Sequence, residues 1–388
     1  MIVRAVIIGV GNSGSRFIKA SHFIDPAIGK IDIVGVADTD ESKLTALIGG
    51  GVPLENDFRK LLRKVSCDII IISTTDDAHY EVLKYIKENS ISFKKIICEK
   101  PIVVDAEQSK FVERSFGDDQ IYVSFVERYS LAVSELKKFI LEKRRSVSSV
   151  SFVWSKYRVK DARPTVGVTS EITHPVDLAC YIAGVSTAAT LRSTSSIICE
   201  SDFVQGGMQR PETMLACVDF ADGMVLTGIS SYIRSERCRT MEFVLSDATS
   251  NVTEIAVLRL DSPKWDDDYL TVFSTVSGAS PLDLMLSHVT PPNKNRPRRQ
   301  IDKICRFLED VISSIKGAGS PGLPNKSQAL LVQDIVRRLE DGHTVSRKMF
   351  SDEAPVPRSD GLIRLKELAV LMKSGASEEM RNDWNDQY

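Results

Sequence analysis

Ala5-Val6-Ile7-Ile8-Gly9-Val10-Gly11-Asn12-Ser13-Gly14-Ser15-Arg16-Phe17 is the stretch on which the reading of this 388-residue chain turns. The apolar run from Val3 to Val10, broken only by Arg4 and Gly9, predicts a buried strand. Phe17, Ile18 and Ala20 behind small polar residues predict the start of a helix. Gly9, Gly11 and Gly14 fall at the turn between the two. Gly9 permits a tight turn, Gly11 lets the backbone approach a pyrophosphate, and Gly14 lets the helix pack closely on the strand. Asn12 and Ser13 lie at the same helix start, whose free amides and positive dipole end favour phosphate.

A second predicted strand, Ile31 to Ala37, ends in Asp38. An acid about 20 residues beyond the glycines is placed to accept hydrogen bonds from adenosine ribose hydroxyls. Thr39, Asp40 and Glu41 follow, without an arginine. A 2′-phosphate would meet negative charge there, so NAD is expected rather than NADP.

Composition narrows the class. At 43% apolar content the chain can build two domains. A net charge of −2 gives no reason to expect nucleic acid, and the basic run Lys294 to Arg299 reads as a solvated loop. No apolar run approaches the roughly 20 residues of a membrane span. The first strand leaves no signal-peptide layout. Seven scattered cysteines have no paired metal spacing. Reduced thiols, a cytoplasmic location and no metal are therefore expected.

Along the first half, helices are predicted at Glu41 to Ile48, closed by Gly49 to Gly51, and at Asp57 to Lys64. Ile69 to Ser73 is fully apolar at its start, as in a parallel sheet covered on both faces. It runs into Thr74, Thr75 and then His79, at the strand end where ligands bind in such sheets. The next strand, Lys95 to Cys98, ends in Glu99-Lys100-Pro101. The proline holds Lys100 extended, and a partly desolvated lysine at this edge can donate or relay a proton. A surface ion pair just past a strand is the plainer alternative. A helix from Ala106 to Ser115 and a strand from Ile121 to Phe125 follow, then Arg128.

The glycine turn, Asp38, the threonine-rich turn with His79 and above all Glu99-Lys100-Pro101 resemble the glucose–fructose oxidoreductase / inositol dehydrogenase / rhizopine catabolism (Gfo/Idh/MocA) family. The resemblance covers about the first 130 residues well and the remainder loosely. It implies that Lys100 lies beside a nicotinamide and takes part in proton transfer. It implies an arginine at the place of Arg128. With the residues above, Thr74, Thr75, His79, Glu99 and Lys100 complete the expected cofactor-binding set.

After the helix Leu131 to Lys143 the pattern changes. Strands are predicted at Val147 to Tyr157, Thr190 to Ile198, Met214 to Phe220, Met224 to Tyr232, Thr240 to Ser246 and Glu254 to Leu260. Ala221-Asp222-Gly223 is a hairpin signal. Between the first two strands, Val168 to Ile182 has helical spacing and puts His174 and Asp177 on one face. An imidazole suits proton exchange near neutral pH. The family resemblance implies that His174 and Asp177 contact or activate a substrate hydroxyl. The chain departs from the family pattern at Ser170, where many members carry an acid, and at Ile172, where a glycine is usual. Trp265 to Asp268 and Gly278 to Pro281 read as loops, and Gln300 to Lys316 and Asn325 to Leu339 as helices.

The expected fold is an α/β Rossmann domain, a doubly wound parallel sheet, over residues 1–130. An α+β domain with a largely antiparallel open sheet follows over 131–345, then an extension over 346–388 with an apolar segment at Leu362 to Met372. The expected activity is NAD-dependent hydride transfer at the hydroxyl or ketone of a sugar, nucleotide sugar or cyclitol, with Lys100 and His174 brought together over the nicotinamide. The partners expected are a small-molecule substrate and further copies of the chain, as a dimer or tetramer. A dinucleotide-binding regulator without turnover, and a lyase or hydrolase that regenerates its NAD, are the alternatives.

Overall fold

The computed structural model describes residues 1–47, 49–161, 165–187, 190–204, 207–261, 264–275, 283–290, 293, 295–297, 300–319 and 322–348. The apolar segment Leu362 to Met372, the Gly278 to Pro281 loop and part of the basic run lie outside these residues. The described chain falls into two compact units. One is Met1–Val126 with Asn293–Leu330. The other comprises the described parts of Glu127–Pro292 and Leu331–Val356.

The first unit opens with β1 (Ile2–Ile8), α1 (Asn12–Ser21), β2 (Lys30–Ala37), α2 (Glu41–Ala46), β3 (Leu54–Glu55) and α3 (Phe58–Lys64). β4 (Ile69–Ile72), α4 (His79–Glu88), β5 (Lys95–Cys98), α5 (Ala106–Ser115) and β6 (Ile121–Val123) complete it. The six strands are parallel in the order β3-β2-β1-β4-β5-β6. Order reverses between β1 and β4, so the crevice outside their carboxyl ends is the ligand position in this architecture. β4 and β5 are buried at every residue, as strands covered on both faces must be. Local signals set the helix starts: the Asp40, Asp57 and Asp105 carboxylates accept from the first-turn amides of α2, α3 and α5. β6 stops at Val123, two residues short of the expected strand, and the chain turns through a 3-10 segment at Val126–Tyr129.

The second unit contains α6 (Leu131–Lys143), β7 (Ser146–Tyr157), α7 (Thr169–Ala183), β8 (Leu191–Ser201), β9 (Arg210–Phe220) and β10 (Val225–Ser231). It continues with β11 (Ile233–Ser246), β12 (Val252–Arg259), β13 (Asp268–Ser274) and β14 (Asp283–Thr290). With the late strand introduced below they form a nine-stranded sheet, mostly antiparallel, with β10 parallel to β7. α7 packs on β7 and β10. Gly228 of β10 is required there, because a Cβ would press into the Phe152 ring and backbone.

α8 (Ile301–Ile315) follows and belongs to the first unit, its apolar stripe against α1. Cys305 Sγ donates to the Ala20 carbonyl at 3.5 Å, Arg16 donates to Gln300 Oε1 at 2.5 Å, and Glu309 accepts from the Asp25 amide at 3.0 Å. The Val123 amide donates to the Pro324 carbonyl at 2.9 Å, and Lys326 Nζ to the Phe116 carbonyl at 2.6 Å. The chain then runs through α9 (Lys326–Glu340) into β15 (His343–Ser346), which pairs parallel with β8 in the second unit.

Candidate active site

In the first unit the glycine turn is built by backbone crowding. Gly9 has φ +89°, and a Cβ there would lie 2.5 Å from the Ser73 carbonyl oxygen. At Gly14 a Cβ would fall still closer to the Gly9 carbonyl and 2.7 Å from Ser73 Oγ. Ser73 secures the turn by donating to the Gly9 carbonyl at 2.7 Å. Gly11 is different: a Cβ there meets no described atom within 4 Å. It is the N-cap of α1, and no side chain caps the helix. Uncapped amides beside open space form a cradle for an anion. The described residues thus fit the pyrophosphate of a dinucleotide.

Asp38, at the carboxyl end of β2, accepts from the Val10 amide at 2.7 Å and the Asp40 amide at 2.9 Å. Its other neighbour is Lys43, at 3.2 Å, which also lies 3.8 Å from Asp40. The sequence reading of acidic residues alone missed this cation. It sits five positions on, in the first turn of α2, and two carboxylates offset it.

The other edge residues fall around the ends of β4 and β5. Thr74 and Thr75 follow Ser73, beside the backbone that Gly9 approaches. Ser13 Oγ donates to the Glu99 carboxylate, which ties the helix start to the β5 end. Lys100 follows, with a cis bond to Pro101. His79 is fully buried at the first position of α4, and its Nδ1 donates to the Pro101 carbonyl at 2.7 Å. That bond makes it a brace for the Glu99-Lys100-Pro101 turn.

In the second unit, α7 is buried at every residue from Thr169 to Cys180. A helix in that position is normally apolar all round, yet this one carries Glu171, His174 and Asp177. The buried carboxylates demand partners. Asp177 is held by Arg128 through two hydrogen bonds, Nε to Oδ2 at 2.8 Å and a second from Nη2 to Oδ1. Both side chains are about 2% exposed or less. Burial pushes the Asp177 carboxyl up, with Arg128 pulling against it. Asp177 is therefore engaged by Arg128, a residue 49 positions away that spacing along α7 does not reveal.

Glu171 accepts from Trp154 Nε1 at 3.2 Å, from Lys156 and from Arg239. Arg239 also takes Glu127 at 2.7 Å and Asp261. Burial opposes the Arg239 charge, but these carboxylates outweigh it and hold the guanidinium protonated. His174 stacks on Trp154, with ring centroids 5.8 Å apart and planes 24° from parallel. The imidazole thus stands against a rigid aromatic wall that is itself tied to the ionic cluster. Ser170 is buried and carries no acid into this arrangement.

Residues 3–118 match the family model for the Gfo/Idh/MocA oxidoreductase family, NAD-binding Rossmann fold. The match covers the parallel-sheet part of the first unit and stops short of the second. None of the curated proteins compared with the chain matches it in sequence. Solved structures match across both units. Levoglucosan dehydrogenase in complex with NADH and levoglucosan is 18% identical, with a TM-score of 0.72 over 88% of this chain and 97% of that one. An NAD-binding oxidoreductase from Klebsiella pneumoniae is 15% identical, with a TM-score of 0.68 over 88% and 96%. UDP-N-acetylglucosamine 3-dehydrogenase from Acidithiobacillus ferrooxidans is 15% identical, with a TM-score of 0.63 over 87% and 96%. At these identities the likeness is one of fold. Among the described residues no helix is long and apolar enough to cross a membrane, and no group of His, Cys, Asp and Glu could hold a metal ion.

Proposed function

We propose that this chain is an NAD-dependent dehydrogenase or reductase acting on the CH–OH of a sugar, nucleotide sugar or cyclitol. The observation that carries the reading is the glycine cradle fitted to pyrophosphate in the first unit; in the second, by itself, a buried helix sets His174 against an aromatic ring. NAD, when bound, takes up or returns the hydride of the reacting carbon. Gly11, Asn12, Ser13 and the α1 amides hold the pyrophosphate, and Asp38 holds the adenosine ribose. Asp38 and Asp40 also oppose a 2′-phosphate, although Lys43 softens that preference.

His174 accepts the hydroxyl proton as the C–H bond breaks, and returns it in the reverse direction. Lys100 polarises the same oxygen or relays that proton. Glu99 and His79 set the Lys100 turn from below, through Ser13 and the Pro101 carbonyl. Asp177 orients α7 through Arg128.

The assay is the absorbance of reduced nicotinamide across a panel of sugars, nucleotide sugars and cyclitols. Lys100→Ala and His174→Ala are expected to lose at least about 100-fold in kcat/KM each, the scale of a lost general acid or base. Undiminished turnover in both variants refutes the assignment. Product formed without net reduced cofactor indicates the lyase or hydrolase chemistry instead.

A further inference from the structure

Arg237 is a half-buried cation of the second unit. Across the β11–β7 pair, Ile233 faces Tyr157 and Cys238 faces Ser155. Residues 234–237 therefore bulge out of register, and a bulge re-aims the side chains it carries. Arg237 closes the bulge. Its guanidinium lies 3.5 Å from the centre of the Trp265 ring. Its Nε is buried without a hydrogen-bond partner, and among the described residues no carboxylate bridges to it.

The contrast with Arg239, two residues on, is informative. Arg239 takes Glu127, Glu171 and Asp261, while Lys156 takes the second oxygen of Glu171. The three carboxylates whose charge acts on Arg237 are thus already engaged. Burial lowers the hold of Arg237 on its proton and the Arg239 charge adds to this; the carboxylates oppose the shift without reversing it. A guanidinium held flat on an indole keeps its fork oriented, which suits two-point recognition of an oxyanion. The position is linked to His174 through a series of stacked side chains. Arg239 lies 5.5 Å from the Trp265 ring centre and 5.1 Å from that of Trp154, the ring on which His174 stacks.

We propose that Arg237, stacked on Trp265, determines specificity by binding the carboxylate or phosphate of an anionic sugar substrate. The word substrate rests on the dehydrogenase reading above; the binding site itself does not.

The test is calorimetric titration of the full chain with NAD present. The probes are hexuronates, aldose phosphates and sugar nucleotides, each set against its neutral parent sugar, together with inorganic phosphate. At least one anionic member is expected to bind ten-fold or more tightly than its neutral parent. Whether that member carries a carboxylate or a phosphate assigns the anion. Arg237→Gln is expected to weaken the anionic member ten-fold or more and to leave the neutral parent within two-fold. Inorganic phosphate is expected to compete in the parent chain and not in the variant. Arg237→Lys, which keeps the charge and loses the fork, is expected to fall between and serves where the glutamine variant folds poorly.

Anionic and neutral members binding alike, no binding by any anionic member, or unchanged affinity in Arg237→Gln overturns the proposal. Turnover restricted to neutral sugars also overturns it, while sparing the dehydrogenase reading. Tight, Arg237-dependent binding without any turnover has the opposite result: it keeps this site and removes the dehydrogenase reading.

Discussion

Removing Asp177 tests whether this residue acts on substrate or on the fold. Its carboxylate and the Arg128 guanidinium share two hydrogen bonds, and both side chains are almost completely buried. Asp177 holds Arg128 charged against the pull of burial. Asp177→Ala would therefore take from a buried cation its two hydrogen bonds to a carboxylate, a change that costs about 3–5 kcal/mol. The Arg128 guanidinium also stacks 4.5 Å from the Tyr181 ring centre, already occupied by Lys137 at 3.6 Å, so another cation lies beside it. Replacing both partners with apolar residues, as in Arg128→Met with Asp177→Leu, removes both charges and is expected to bring stability back to within about 1–2 kcal/mol of the parent. Urea unfolding, followed by tryptophan fluorescence on the single and double variants, gives the coupling energy. An Asp177→Ala variant that keeps its stability to within about 1 kcal/mol while losing turnover refutes this reasoning and makes Asp177 a substrate contact.

Gly11→Ala is expected to leave the unfolding midpoint unchanged and to weaken NAD binding ten-fold or more, because the new methyl enters open space beside the phosphate cradle; calorimetry separates the two effects. Gly14→Ala is expected to lower stability as well, since its methyl would press on the Gly9 carbonyl. Burial pushes the Glu254 carboxyl up, but hydrogen bonds from Arg145 at 2.8 and 3.0 Å and from Thr253 outweigh it and leave its pKa lowered. The stabilisation is then present above the ordinary glutamate value of about 4.3 and is lost as pH falls through the lower folded value. The gap in urea midpoint between parent and Glu254→Gln should therefore be widest at neutral pH and close in acid; a gap constant with pH is the contrary result. Burial pushes the Cys67 thiol up to about 11, Cys180 up to about 12, and Cys98 and Cys305 well above the ordinary range. A thiol reagent at about pH 8 should modify the half-buried Cys199, Cys217 and Cys238 first. Equal rates at Cys98 would contradict the burial described here.

The sequence was most legible where local rules and burial agree. α5 and α6 fall where periodicity puts them, and the Gly9-Gly11-Gly14 turn carries its own geometry. The edge of the large sheet was not legible. β14 is exposed or half-exposed at every residue, and β15 exposed throughout, so no apolar alternation marks either. β13 begins on a buried aspartate, Asp268, which reads as part of a loop. The first half of β11 is charged because its side chains serve the ionic cluster and the bulge. At the site, spacing put His174 and Asp177 on one face of α7 but not the partners that each takes. Arg128 and Trp154 come from segments far along the chain.

The packing of α8 against α1 has a consequence for biosynthesis. The nucleotide-binding unit starts at the first residue, yet α8, the Pro324 carbonyl and Lys326 reach it only after β7 to β14 have been made. A nascent chain leaving the ribosome must therefore hold an unfinished Rossmann layer, with the apolar side of α1 uncovered, while the large sheet is still being translated. Truncation at residue 130 would freeze that half-built intermediate, and such a fragment should aggregate or recruit chaperones rather than serve as a ready-made nucleotide-binding module.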